Sequence, residues 1–251
     1  MRRFLANYKN ELMKLMTKKK YIVFLIIAAA ICSLNILITK IVSMVSKGMI
    51  TMVPSAVSMN MLRFFSEIFV PLMVMMAVCD VVATEMHDIT IRAVLMRPIS
   101  RAKVILSKAF AAFTVGAVFY ATVFIVCTFM ELIFGSPSAV ISNLGATFLS
   151  YLLNLVPLFV LTLLAVFINI LCSGPTLTML LCIAVYVILK FCGLYVPTIG
   201  NVVFTSFMNW QQLYVGHIIP FHAIISKVGI LVGWGVVMFS GSYLLFDKKE
   251  F

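Results

Sequence analysis

The sequence predicts an all-α, polytopic membrane protein with six transmembrane helices. Three observations carry this. Of the 251 residues, 63% are hydrophobic and the mean hydropathy is +1.16, whereas soluble domains are only roughly half apolar. Six apolar runs are long enough to cross the roughly 30 Å hydrocarbon core of a bilayer. The basic residues cluster at the two ends and in one central stretch, as they do when cytoplasmic segments retain Lys and Arg. The net charge of +11 therefore reports topology, and no nucleic-acid partner is expected. The chain reads as one transmembrane domain over residues 1–251.

Residues 1–20 carry Arg2, Arg3, Lys9, Lys14, Lys18, Lys19 and Lys20 against a single acid, Glu11. Leu5, Tyr8, Leu12, Leu15 and Met16 recur at helical spacing, so the segment reads as an amphipathic helix lying in the membrane interface. A disordered basic tail is the alternative. The first span is Tyr21–Thr39, roughly 28 Å at 1.5 Å per residue. It is too long, and preceded by too many polar residues, for a cleavable signal. Bulky Ile31 beside Cys32 argues against lipid attachment there. An outer segment, Lys40–Arg63, follows, with Gly48 and Pro54 as breakers. The second span is Phe64–Ala83.

The third span, Val104–Phe134, exceeds what a bilayer needs and should tilt or protrude. Gly135-Ser136-Pro137-Ser138 reads as a turn. The fourth span, Ala146–Leu171, should kink at Pro157. Ser173-Gly174-Pro175 is a tight turn before the fifth span, Thr176–Val196. Residues 196–220 have no formal charge, breakers at Pro197, Gly200 and Pro220, and polar or aromatic Asn209, Trp210, Gln211, Gln212, Tyr214 and His217. They read as re-entrant or outer helices. The last span is Phe221–Phe246, ending in Asp247, Lys248, Lys249, Glu250 and Phe251. Both termini are placed in the cytoplasm, because fourteen of the nineteen Lys and Arg fall on that side. Lys40, Lys47 and Arg63 are the outer exceptions.

The passage from Asp80 to Lys108 is the one strongly charged stretch between spans. It carries Asp80, Glu85 and Asp88, then Arg92, Arg97, Arg101, Lys103 and Lys108. Charge at the bilayer centre costs roughly 3 kcal/mol or more per group, so the stretch lies in water or at headgroups. Glu85–Met96 can form a short helix with Met86, Ile89, Ala93 and Met96 on one side. Pro98 ends it, and Ser100 is a good N-cap for the next span. Such a helix offers a polar face to a partner. The plainer reading is a basic loop that only orients the spans.

Catalytic signatures are missing. There is no G-x-x-x-x-G-K-[ST] phosphate loop, no H-E-x-x-H and no G-x-S-x-G. His87, His217 and His222 are scattered, and no metal or cofactor site is expected. The six cysteines form no C-x-x-C pair and read as small buried hydrophobes. An intramembrane enzyme would need a polar set inside the spans, and none is visible. Lys190 is the isolated charge of interest, about 21 Å into the fifth span. It either snorkels outward or pairs with Glu131 or Glu67 along a translocation path. Gly229 and Gly233 have G-x-x-x-G spacing, useful for packing within the subunit or between two subunits.

With these residues in place, the chain resembles the permease subunits of type 2 ABC transporters, the ABC-2 exporter family. The local match is E-x-x-x-x-T at Glu85 and Thr90, then Pro98-Ile99-Ser100-Arg101 and a downstream Lys108. Many members carry Gly before the Thr, where this chain has Ile89. Glu11-Leu12-Met13-Lys14-Leu15 before Lys18-Lys19-Lys20, and Leu245-Phe246-Asp247-Lys248-Lys249, also look like this family. The resemblance implies a coupling segment over 84–100, using Glu85, Asp88, Thr90, Arg92, Arg97, Pro98, Ser100 and Arg101 to dock on a separate ATPase. It implies ATP and Mg on that ATPase and none bound by this chain. It also implies a second permease copy, identical or not, and a bacterial plasma membrane. Members of this size resemble bacitracin- and lantibiotic-resistance permeases, so an amphiphilic peptide, drug or lipid-like cargo is expected. A non-transporting assembly or regulatory protein of the membrane is the alternative.

Overall fold

The computed structural model describes residues 2–45, 55–88, 90, 99–134, 137–172, 174–213 and 221–249. Among them there is no strand, and six helices are long and apolar enough to cross a membrane. An even number of crossings puts both ends on one side, called here the terminal face; the opposite side is the far face.

The N-terminal helix, Arg2–Met16, packs against the third span. Its buried positions are Asn7, Glu11 and Leu15, spaced by four, whereas Leu5 and Met16 are exposed. The apolar stripe expected to organise this helix is thus split. A mostly polar row faces protein, where Asn7 donates to Ser107 and Glu11 lies beside Lys14 and Lys108, and part of the apolar row faces outward.

The first span runs Lys19–Val45, so the helix continues past the expected stop at Thr39. The second begins at Ser55 and stays helical to His87. Hence Ser55–Arg63, expected in the connecting segment, is helical. Two wider π turns interrupt this span, at Phe65–Phe69 and Cys79–Ala83. The third span is Arg101–Phe134. Gly116 lets it approach its neighbours: a Cβ there would lie 2.9 Å from Val74 and 3.1 Å from Leu158.

The fourth crossing is two helices, Pro137–Leu153 and Leu155–Leu171, joined at Asn154. Pro137 opens a helix instead of sitting in a turn, since proline is pre-set for a first helical position. The break falls just before Pro157. Proline has no N–H to offer residue 153, four back, and its ring crowds that carbonyl. The buried side chain at the break, Asn154, donates to Ser66 Oγ at 3.1 Å. Gly174, at φ +105°, turns the chain into the fifth span, Pro175–Tyr195. Positive φ is easy only for glycine.

A short helix, Pro197–Gly200, and 3-10 turns over Phe204–Leu213 follow. Phe204, Phe207 and Met208 are buried, and Trp234 of the last span donates to the Val202 carbonyl at 2.8 Å. Tyr214 and His217 lie outside the described residues. The last span is Phe221–Lys248. Cys32, Cys79, Cys127 and Cys182 are buried as expected, but Cys172 is half-buried and Cys192 exposed. Lipid solvates a thiol on an outer helical face, so membrane burial does not require protein burial. Gly229 and Gly233 touch nothing within 4 Å of a built Cβ; among the described residues their spacing packs no helix.

Candidate functional site

At the terminal face, four charges from three elements converge. Glu85, on the last turn of the second span, accepts from Lys108 Nζ on the third span at 2.6 Å and from Lys14 Nζ on the N-terminal helix at 2.6 Å. Glu11 lies 3.4 Å from both lysines. Lys108 also donates to the Val81 carbonyl at 2.9 Å. The Lys108 and Glu11 side chains are 3% and 0% exposed. One helical turn from Glu11, Asn7 donates to Ser107 Oγ at 2.6 Å. Buried charges persist only when paired and hydrogen-bonded, and here each supplies the other's partner.

Beside this group, Asp80 takes Lys18 at 3.2 Å, Lys20 at 2.5 Å and the Tyr21 hydroxyl at 2.5 Å. The π turn makes the shared placement feasible. Five residues on an α-helix set two side chains roughly 140° apart. A π turn, with i to i+5 bonding, brings Asp80 and Glu85 toward one side. Burial alone would lower the Lys14 pKa, but bonding to Glu85 and attraction by Glu85 and Glu11 outweigh it and hold it above its ordinary value.

The other residues expected to couple are distributed as follows. Asp88 is exposed beside His87 Nδ1, 3.2 Å away. Thr90 Oγ1 donates to the Glu85 carbonyl at 3.4 Å. The Ser100 carbonyl accepts from Lys103 and Val104, the backbone position of an N-cap. Arg101 Nη1 reaches the carbonyls of Phe246 and Asp247 at 3.3 and 2.7 Å and the Asp247 carboxylate at 3.3 Å. It therefore caps the end of the last span, where a cation also suits the helix dipole. Arg92, Arg97 and Pro98, and most of the expected Glu85–Met96 helix, lie outside the described residues. Sequence reasoning did not pick out Asn7, Glu11, Lys14, Asp80 or Ser107 as site residues. The available signal was Asn7 and Glu11 four apart on a basic helix.

Toward the far face, the first π turn holds a second cluster. Pro71 removes the donor that an α-helix would give the Glu67 carbonyl, and Tyr186 hydroxyl donates to that carbonyl at 2.9 Å. Glu67 Oε1 lies 3.5 Å from Lys190 Nζ and 3.8 Å from Arg63 Nε, and accepts from Asn209 Nδ2. Of the two acids offered to Lys190, Glu67 is the one beside it. Glu131 instead accepts from the Ser58 backbone N–H at 2.8 Å, near the start of the second span, where a carboxylate satisfies an open helical donor.

Six helices long and apolar enough to cross a membrane, with a charged knot at one face, define a multi-pass membrane protein. The chain belongs to the ABC-2 family of transporter proteins, whose description, ABC-2 family transporter protein, matches residues 5–251. It is a multi-pass permease component of an ABC transporter, and its family implies partnership with an ABC ATPase. No curated protein matches it.

Proposed function

We propose that this chain is the permease of an ATP-driven exporter of amphiphilic cargo, in the class of antimicrobial peptides, drugs or lipid-like molecules. The terminal face is cytoplasmic, in a bacterial plasma membrane. Segment 84–100 docks on the ATPase, which alone binds ATP and Mg. A second permease copy, identical or homologous, completes the path. The N-terminal helix lies in the interface.

The observation that supports this most directly is the rooting of segment 84–100. Glu85 at its start is bonded to the third span and the N-terminal helix, and Arg101 at its end to the last span. A push on the segment therefore reaches four elements, while Asp88 stays exposed for a partner. Lys190 and Glu67 gate the far end of the path. The apolar character of the spans suits amphiphiles better than small ions.

The test is tagged purification from the native host in mild detergent. A P-loop ATPase of roughly 25–35 kDa should co-purify, and Arg97→Glu should release it while the permease still folds. Purification without any ATPase, under conditions that preserve other complexes, refutes the coupling.

A further inference from the structure

We infer that Arg63, Glu67 and Lys190 form a binding site for the anionic headgroup of an amphiphile whose hydrocarbon lies along the second and fifth spans. Charge balance is the first ground. Two cations share one carboxylate, and Asn209 also donates to the same oxygen. The separations of 3.8 and 3.5 Å exceed the roughly 2.7–2.9 Å of a charge-assisted hydrogen bond. Lysine has three donors and arginine five, so both retain capacity for a phosphate or carboxylate.

Access is the second ground. The Arg63 side chain is 55% exposed and Lys190 22%. Ile68 and Phe191, each beside one of the charged residues, are exposed apolar groups. Charged residues flanked in sequence by exposed apolar ones suit a headgroup and its tail. The third ground is topological. Retained cations belong on the cytoplasmic side, so Arg63 is not needed for orientation at the far face. The site does not depend on the gate; the topological ground, and with it a place in the outer leaflet, rests on the proposed topology. The anionic group could belong to a membrane phospholipid or to the cargo.

The experiment uses the purified full-length chain, with its ATPase where that co-purifies. Native mass spectrometry follows binding of phosphatidylglycerol and of phosphatidylcholine with the same acyl chains. Wild type should prefer phosphatidylglycerol at least tenfold. Arg63→Gln with Lys190→Gln should abolish the preference. Lys190→Arg should keep it, as should Lys227→Gln on the last span. If the double variant does not fold, Arg63→Gln alone, at a mostly exposed position, should cut the preference at least threefold. A preference for phosphatidylglycerol identifies a lipid site. No such preference, but an anionic amphiphile of another mass that leaves with the double variant, identifies cargo. Equal binding of both lipids with no co-purified anionic amphiphile overturns the proposal, as does a preference that survives the double variant. Transport lost in Lys190→Gln with the preference intact would spare the gate and sink this site; the reverse would spare this site and sink the gate.

Discussion

Lys108 illustrates how one side chain holds several elements. It is buried, and it touches Glu11, Glu85 and the Val81 carbonyl. Lys108→Met leaves Glu11 buried with less compensation, and removing one partner of a buried pair costs about 3–5 kcal/mol. The thermal midpoint in detergent should fall clearly, and adding Glu11→Gln should recover part of the loss. A midpoint unchanged by Lys108→Met would show that the pair carries no net stability. Lys14 gives a pH signature. Its folded pKa is raised above the ordinary 10.5, so its contribution is fully present below about 10.5 and is lost as pH rises through the higher folded value. The melting difference between wild type and Lys14→Met should therefore shrink toward zero only in strong alkali. Its half-exposed position keeps that difference small, because exposed pairs are screened.

At the scale of helices, three glycines separate packing from propensity. Gly116→Ala would drive a Cβ to 2.9 Å from Val74 and 3.1 Å from Leu158. Overpacking of this kind costs about 1–3 kcal/mol, read as a lower melting midpoint. Gly145, in Pro137–Leu153, meets nothing within 4 Å. There the same change should be neutral or stabilise by up to about 1 kcal/mol, through helix propensity. Gly200→Ala is the severe case, because its Cβ would sit 2.6 Å from the Gly193 carbonyl, and backbone cannot swing aside. It should loosen the corner after the fifth span, seen as faster hydrogen exchange across Val203–Met208, with the terminal-face cluster unaffected.

For the whole molecule, the second span is the element that joins the two clusters. It carries Asp80 and Glu85 at one end and Glu67 toward the other, and each π turn supplies one of these acids. Motion imposed at segment 84–100 thus has a continuous helical route to the Lys190 contact. Deleting Ile68, an exposed residue of the first π turn, should convert that turn toward α geometry. Glu67 would then rotate relative to Lys190. The expected outcome is a folded protein that still retains its ATPase but has lost transport. Transport at the wild-type rate would show that the turn is dispensable.

The sequence by itself determined the class. Six apolar runs, a bilayer's thickness and the placement of Lys and Arg leave few arrangements open, because backbone in lipid must satisfy its own hydrogen bonds and becomes helix. It also marked Glu85, Lys108 and Lys190 as unusual, since charge near apolar runs demands a reason. Only the tertiary structure decided who meets whom. Periodicity places Leu5 and Leu15 on one stripe, yet packing buries Leu15 with Asn7 and Glu11 and leaves Leu5 outside. It also chose Glu67 over Glu131 for Lys190, and gave Arg101 to the end of the last span. The physical reason is that local sequence fixes helices through nearest-neighbour terms, whereas ion pairing depends on the rotation and depth of helices distant in the chain. Those are set by features such as a π turn or a close glycine contact, whose local sequence signature is weak.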